Sequence, residues 1–278
     1  MGLYFFPPSV ALSDIIRTYR VVNFKFTDMN GIQAKPYPPR PEHCLSFYPR
    51  DTETVRYINS GKTFSKLRTV LFGQQSEVSN RYVGKDFLLF QIVFRPGGLY
   101  RLTGIPSHQI TNAYIDAETV FPATELREIN EKLAESDNAH YMITCVEAFL
   151  KRRISRSKID IHALDKVCNL MLSTEKKLSL DWLAHESCLS VRQYERKFME
   201  RMGVSPKYYQ KIIRFEHAFR MKNQFPKLDW LSIALQCGYY DYQHLVKDYK
   251  TLTQQSPNEF HFIDLSSPER AFGDADTY

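Results

Sequence analysis

Residues 180–206 read LDWLAHESCLSVRQYERKFMERMGVSP. Leu180, Leu183 and Ala184 give one apolar face to a short helix, a turn follows, and Ser190 stands where its side-chain oxygen can cap a second helix. This is a helix-turn-helix pattern. The second helix buries Tyr194 and Phe198, spaced i, i+4. It turns Arg192, Gln193, Glu195, Arg196 and Lys197 to water, residue types that reach phosphates and base edges in a major groove. A single pair of this kind is more often an αα-hairpin with a solvated charged face.

A second copy changes that balance. Leu183-Ala184 recurs as Ile233-Ala234, fifty residues on, while Tyr194, Phe198 and Ser205-Pro206 recur as Leu245, Tyr249 and Ser256-Pro257, fifty-one residues on. The one-residue change falls in the turn, where an insertion is cheapest. The chain therefore holds two helix-turn-helix units in tandem. Each ends in a Ser-Pro that starts the next helix with an N-cap and a proline at N1. In the second unit Gly238 suits a left-handed C′ position, and Asp241 can cap a helix showing Tyr242, Gln243, His244 and Lys247 to water. Asp241, Tyr242 and Asp248 leave that helix less basic than the first.

The segment LAHESCLSVRQYERKFMERMGVSPKYYQKIIRFEHA, followed by IALQCGYYDYQHLVKDYK and QQSPNEF, resembles the bipartite DNA-binding domain of AraC/XylS-type transcription regulators, over residues 160–262. The departures are Cys188 and Gln254, where such proteins commonly have Gly, and Tyr249, usually Phe. The resemblance implies recognition helices over about 190–202 and 241–253 that enter successive major grooves. It places DNA contacts on Ser190, Arg192, Gln193, Glu195, Arg196 and Lys197, and on Tyr242, Gln243, His244 and Lys247, with the main base-contacting position at Arg196.

Charge agrees with a polyanion partner. The net charge is +6, but residues 151–263 carry 20 Lys+Arg against 12 Asp+Glu, whereas residues 1–150 carry 16 against 15. A solvated basic face would fit charge alone equally well. The five cysteines are scattered without CxxC spacing, so neither a disulfide frame nor a zinc site is supported. The longest apolar run, Phe87 to Phe94, is too short to span a bilayer, and MGLYFFPPS lacks a basic leader. A soluble, cytoplasmic protein with no membrane association is expected.

The first half reads as strands and turns: Arg20 to Phe26, Cys44 to Tyr48, Val55 to Asn59, Val70 to Phe72 and Phe87 to Phe94, with Ser13 to Arg20 as a short helix. The fold class is thus α+β. A β-rich, sandwich or barrel-like domain over 1–152 precedes an all-α domain over 158–263 and a flexible tail over 264–278. FRPGGLYRLTGIPSHQITNAYIDAE resembles the N-terminal domain attached to one subgroup of AraC-like regulators. Its Arg95-Pro96-Gly97-Gly98 is a structural corner or an anion-holding loop, the corner being favoured. Leu126, Ile129 and Leu133, then Met142, Cys145, Val146, Phe149 and Leu150, mark two helices that either cover the sheet or join two copies. The run 151–158, KRRISRSK, reads as a basic linker.

A sequence-specific transcription regulator follows, not an enzyme, with double-stranded DNA as partner. RNA polymerase and a second copy of the chain are further candidate partners. No cofactor or metal is expected, because only His43 and His108 occur in residues 1–120 and ionisable clusters look sparse there. Any effector would be a small organic molecule. The alternative, a DNA-repair methyltransferase fused to such a module, lacks its cysteine cluster; a module that has lost DNA binding conflicts with the basic first unit.

Overall fold

The computed structural model describes residues 2–27, 34–155, 161–174 and 178–267. Strands β1 (Gly2–Phe6), β2 (Ile16–Lys25), β3 (Lys35–Tyr37), β4 (Cys44–Phe47), β5 (Thr54–Tyr57), β6 (Thr63–Phe64), β7 (Thr69–Phe72), β8 (Ser79–Tyr82), β9 (Asp86–Phe94) and β10 (Tyr114–Asp116) form two antiparallel sheets. One has the order β1-β2-β9-β4-β7-β10, the other β3-β8-β5-β6. The run Phe87 to Phe94 is almost unbroken in apolar character because its sheet is covered on both faces. Phe87, Leu89 and Val93 point into the core between the sheets, and Leu88, Phe90, Ile92 and Phe94 into the core on the other side.

That other core is closed by helices. After α1 (Gly98–Thr103) come α2 (Ala123–Ala134) and α3 (Ala139–Ile154), whose Leu126, Ile129, Leu133, Met142, Val146, Phe149 and Leu150 pack with the six-stranded sheet. Covering the sheet is therefore what these helices do in this chain.

Two expectations fail locally. Ser13 to Arg20 is not a helix: Ile16 opens β2, and a register irregularity between Ile16 and Thr18 breaks the alternation, so Ile15, Ile16 and Tyr19 fall at a helix-like spacing. The basic run does not begin a linker at 151, because 151–154 form the last turn of α3. There Lys151 pairs with Glu147 at 2.9 Å and Arg153 with Glu125, cations suited to a helix C-terminus. Residues 156–158 of that run lie outside the described residues. So does the tail from 268 on, while Asp264, which closes the last helix, is buried.

The C-terminal half is helical: α4 (Ala163–Ser173), α5 (Leu180–Glu186), α6 (Val191–Met202), α7 (Pro206–Gln224), α8 (Trp230–Gln236), α9 (Tyr242–Thr253) and α10 (Pro257–Asp264). The repeat holds down to backbone conformation. Ser179, Ser190 and Ser205 cap α5, α6 and α7 through their side chains, as Asp229, Asp241 and Ser256 cap α8, α9 and α10. Cys188 (φ 55°) matches Gly238 (φ 76°) in the turn, and Gly203 (φ 81°) matches Gln254 (φ 64°) after the second helix. Among the described residues no helix is long and apolar enough to cross a membrane.

Cys188 and Gln254 thus hold a left-handed conformation that costs a side chain about 1 kcal/mol or more. Cys188→Gly should raise stability by about 0.5–1 kcal/mol, seen as a melting temperature a few degrees higher. Gly203→Ala should do the reverse, by roughly 2 kcal/mol or more, because a Cβ there would also meet Thr111 Oγ1 at 2.6 Å. Thermal melts of both variants check the pair.

Candidate nucleic-acid interface

Helix α6 presents a charged face because its other face is locked into a core. Tyr194 and Phe198 are fully buried among Leu164, Cys168, Met171, Leu183 and Tyr209. This leaves Arg192, Glu195 and Arg196 exposed and Lys197 half-buried. Ser190 and Gln193 form a capping box, the serine oxygen accepting from the Gln193 amide and the Gln193 Oε1 from the Ser190 amide. These two predicted contacts therefore first serve the helix end.

In α9, Leu245 and Tyr249 are buried, and Gln243, His244 and Lys247 are exposed. Tyr242 does not face water fully as expected; it is half-buried against the core of the second unit. Asp241 accepts from the His244 amide at 2.8 Å, and its carboxylate also lies 3.0 Å from His244 Nδ1. Asp248 does not offset Lys247: it is buried and paired with Arg214 at 2.7 Å on α7.

The C-terminal turn of α6 is held by the β-rich half. Ser107 Oγ donates to the Arg201 carbonyl at 2.7 Å, and Thr111 Oγ1 to the Gly203 carbonyl at 2.9 Å. His43 Nε2 lies 3.2 Å from the Met202 carbonyl, so that nitrogen carries the proton. Arg201 itself is buried, bonded to Asp165 at 2.7 Å and lying 5.0 Å from the Tyr100 ring centroid. The Arg95-Pro96-Gly97-Gly98 corner closes this contact. Gly97 has φ 77°, and a Cβ on it would meet Asp165 Oδ1 at 2.2 Å. A further contact between the halves has Tyr208 on α7 donating to the Ser76 carbonyl at 2.8 Å.

Residues 183–261 match a helix-turn-helix domain family, and residues 4–116 match a domain family of unknown function. The fold is that of ToxT from Vibrio cholerae, with a TM-score of 0.50 at 11% identity, over 89% of this chain and 99% of that one. The chain resembles AraC/XylS-type transcription regulators in its C-terminal helix-turn-helix match and in its overall fold. It is a DNA-binding regulator of transcription with an N-terminal domain of two antiparallel sheets. A ToxT structure with unsaturated fatty acid bound, from Vibrio cholerae strain SCE256, gives a TM-score of 0.47 at 13% identity, over 88% and 94% of the two chains. An AraC-type DNA-binding domain-containing regulator from Chromobacterium violaceum gives 0.34 at 27% identity, over 38% of this chain and 93% of that one. No curated protein matches the sequence.

The N-terminal domain also holds a charged cavity of about 80 Å³ between its sheets, lined by Arg20, Lys35, Tyr37, Arg40, Glu53 and Arg81 with Leu3, Val22, Phe24, Phe87 and Leu89. Arg20, Arg40, Arg81 and Glu53 are all buried. The expectation of few ionisable clusters is thus wrong, because residues some sixty positions apart converge there. Arg20 pairs with Glu42 at 3.1 Å, and Arg17 with the same carboxylate at 3.0 Å. Burial alone would raise the Glu42 carboxyl, but Arg20, Arg40 and Arg17 outweigh it and hold it well below the usual range. Cys44, the cysteine a methyl-accepting reading would need, is buried, and burial pushes its thiol up, away from the reactive thiolate.

Ser107 and Thr111 lie within the quoted FRPGG stretch, but no chemistry attaches to them or to His43 in the sequence. Burial lowers His43 to about 4, against the opposing effects of the Met202 hydrogen bond and Glu42, whereas an exposed imidazole titrates near 6.5. The unfolded chain therefore takes up this proton first. The contribution of a neutral His43 is complete above about pH 6.5 and is lost as pH falls through 4. Urea melts between pH 7.5 and 4.5 should show a steeper decline for the unmodified chain than for His43→Gln. Equal slopes would contradict this assignment.

Proposed function

We propose that α6 and α9 enter successive major grooves on one face of the duplex, with Arg196 as the main base reader and Arg192, Lys197, Gln243, His244 and Lys247 as supporting contacts. The observation that carries this is the repeated geometry. Two capped helices each expose a basic or polar face, and between the two units runs α7, whose 19 residues span about 28 Å at 1.5 Å per residue. One duplex turn is about 34 Å. Ser190, Gln193, Glu195 and Tyr242 belong to the same surface, the first two through their backbone and cap. The functional division we infer puts the reader over 158–263 and the effector domain over 1–152.

Arg196→Ala should relax specificity at one base pair by about 1–3 kcal/mol, because a guanidinium can grip guanine O6 and N7 together. Lys247→Ala should weaken all sequences alike and flatten the salt dependence by about one unit of slope. Titrations on a duplex selected from random DNA by the unmodified chain, and on its scrambled version, separate the two. Loss of the selected-to-scrambled ratio in Lys247→Ala alone would make α9 the reader.

We infer that the effector is an organic acid with an apolar body. The reading rests on the cavity's own charges: four cationic residues, Arg20, Lys35, Arg40 and Arg81, stand against the lining carboxylate Glu53 and the Glu42 carboxylate paired with Arg20, a net excess of positive charge. Arg81 Nε is also buried without a hydrogen-bond partner among the described residues. Such an excess favours an anionic guest, and the aliphatic and aromatic lining suits the remainder. In thermal-shift titrations a series of alkanoates should stabilise the protein, and alcohols of equal length should not. Equal shifts from both, or stabilisation by metal ions instead, would overturn this reading.

A further inference from the structure

The turn Ser107–Ile110 sits beside the reading helix in a way the helix-turn-helix repeat does not require. Ser107 and Thr111 fasten it to the Arg201 and Gly203 carbonyls, so it is fixed to the end of α6. From that anchor Pro106 and His108 line one surface cleft with Arg196, Lys197 and Glu200. His108 is exposed, while Glu200 is occupied by the Tyr100 hydroxyl at 2.8 Å. An α-helix with its side chains is about 10–12 Å across and a major groove about 12 Å wide, so α6 alone fills the groove. Whatever is fastened to its flank must meet the groove wall, which is sugar-phosphate backbone.

We propose that the N-terminal domain takes part directly in the DNA contact, with His108 and Lys197 holding a backbone phosphate of the strand bordering the groove that α6 occupies. The proposal rests on α6 being a reading helix. The imidazole N–H and the ammonium supply donors from the two sides of the cleft, and neither reads sequence.

The test uses the full chain, the selected duplex and its scrambled version. His108→Ala, a change at an exposed position, should leave the melting temperature unchanged and weaken both duplexes alike by about fivefold, with a shallower salt dependence. His108→Lys should restore binding and His108→Asp should weaken it further. Unchanged or tighter binding by His108→Ala would overturn the proposal, the latter showing that the turn obstructs DNA. So would a changed selected-to-scrambled ratio. Arg196→Ala is measured alongside: if Arg196 matters and His108 does not, only this proposal fails, whereas indifference to Arg196 removes the reading beneath it.

Discussion

An α-helix ends with carbonyl groups that find no partner within it. At the end of α6 these are answered from the β-rich half, by Ser107, His43 and Thr111 on the carbonyls of residues 201, 202 and 203. Much of the architecture serves this contact. Gly203 must be left-handed and lack a Cβ to let Thr111 approach, and Gly97 must do the same for Asp165. The buried Arg201–Asp165 pair then ties α6 to α4 directly beneath the Arg95–Gly98 corner. Buried polar groups are tolerated here because each finds a partner, and removing one partner would strand the other.

The helical half was legible because its signals are local. Caps, proline at N1, i, i+4 apolar pairs and a repeat of fifty residues all pointed the same way, and backbone angles at 188, 203, 238 and 254 follow that repeat. The β-rich half was legible only where strands are long and apolar. β3, β6 and β10 have two or three residues each, too few to show a period, and β8 is polar. The irregularity in β2 imitated a helix.

Charges were the least legible feature, since their meaning depends on which side of the backbone they meet. Asp248 adjoins Lys247 in sequence, yet it turns inward to Arg214, so the exposed face of α9 keeps its positive charge. Arg20, Glu42, Glu53 and Arg81 look like ordinary surface residues until the two sheets bring them together. His43 and Ser107 sit in stretches of turn residues with no chemistry attached. Neighbours in sequence there face opposite tasks: Glu42 binds Arg20 at the cavity wall, and His43 holds Met202 at the end of α6. The Arg20–Glu42 pair and the His43–Met202 contact are thus one residue apart in the chain.

The central claim is that side chains of the N-terminal domain complete the last turn of α6. Amide hydrogen exchange of the full chain, compared with a Ser107→Ala/Thr111→Val double variant of nearly unchanged shape, tests it most directly. Loss of the two hydroxyl donors should speed exchange in peptides covering 199–206 and 107–111 while the strands β2, β4 and β9 keep their protection. Unchanged exchange across 199–206 would contradict the account.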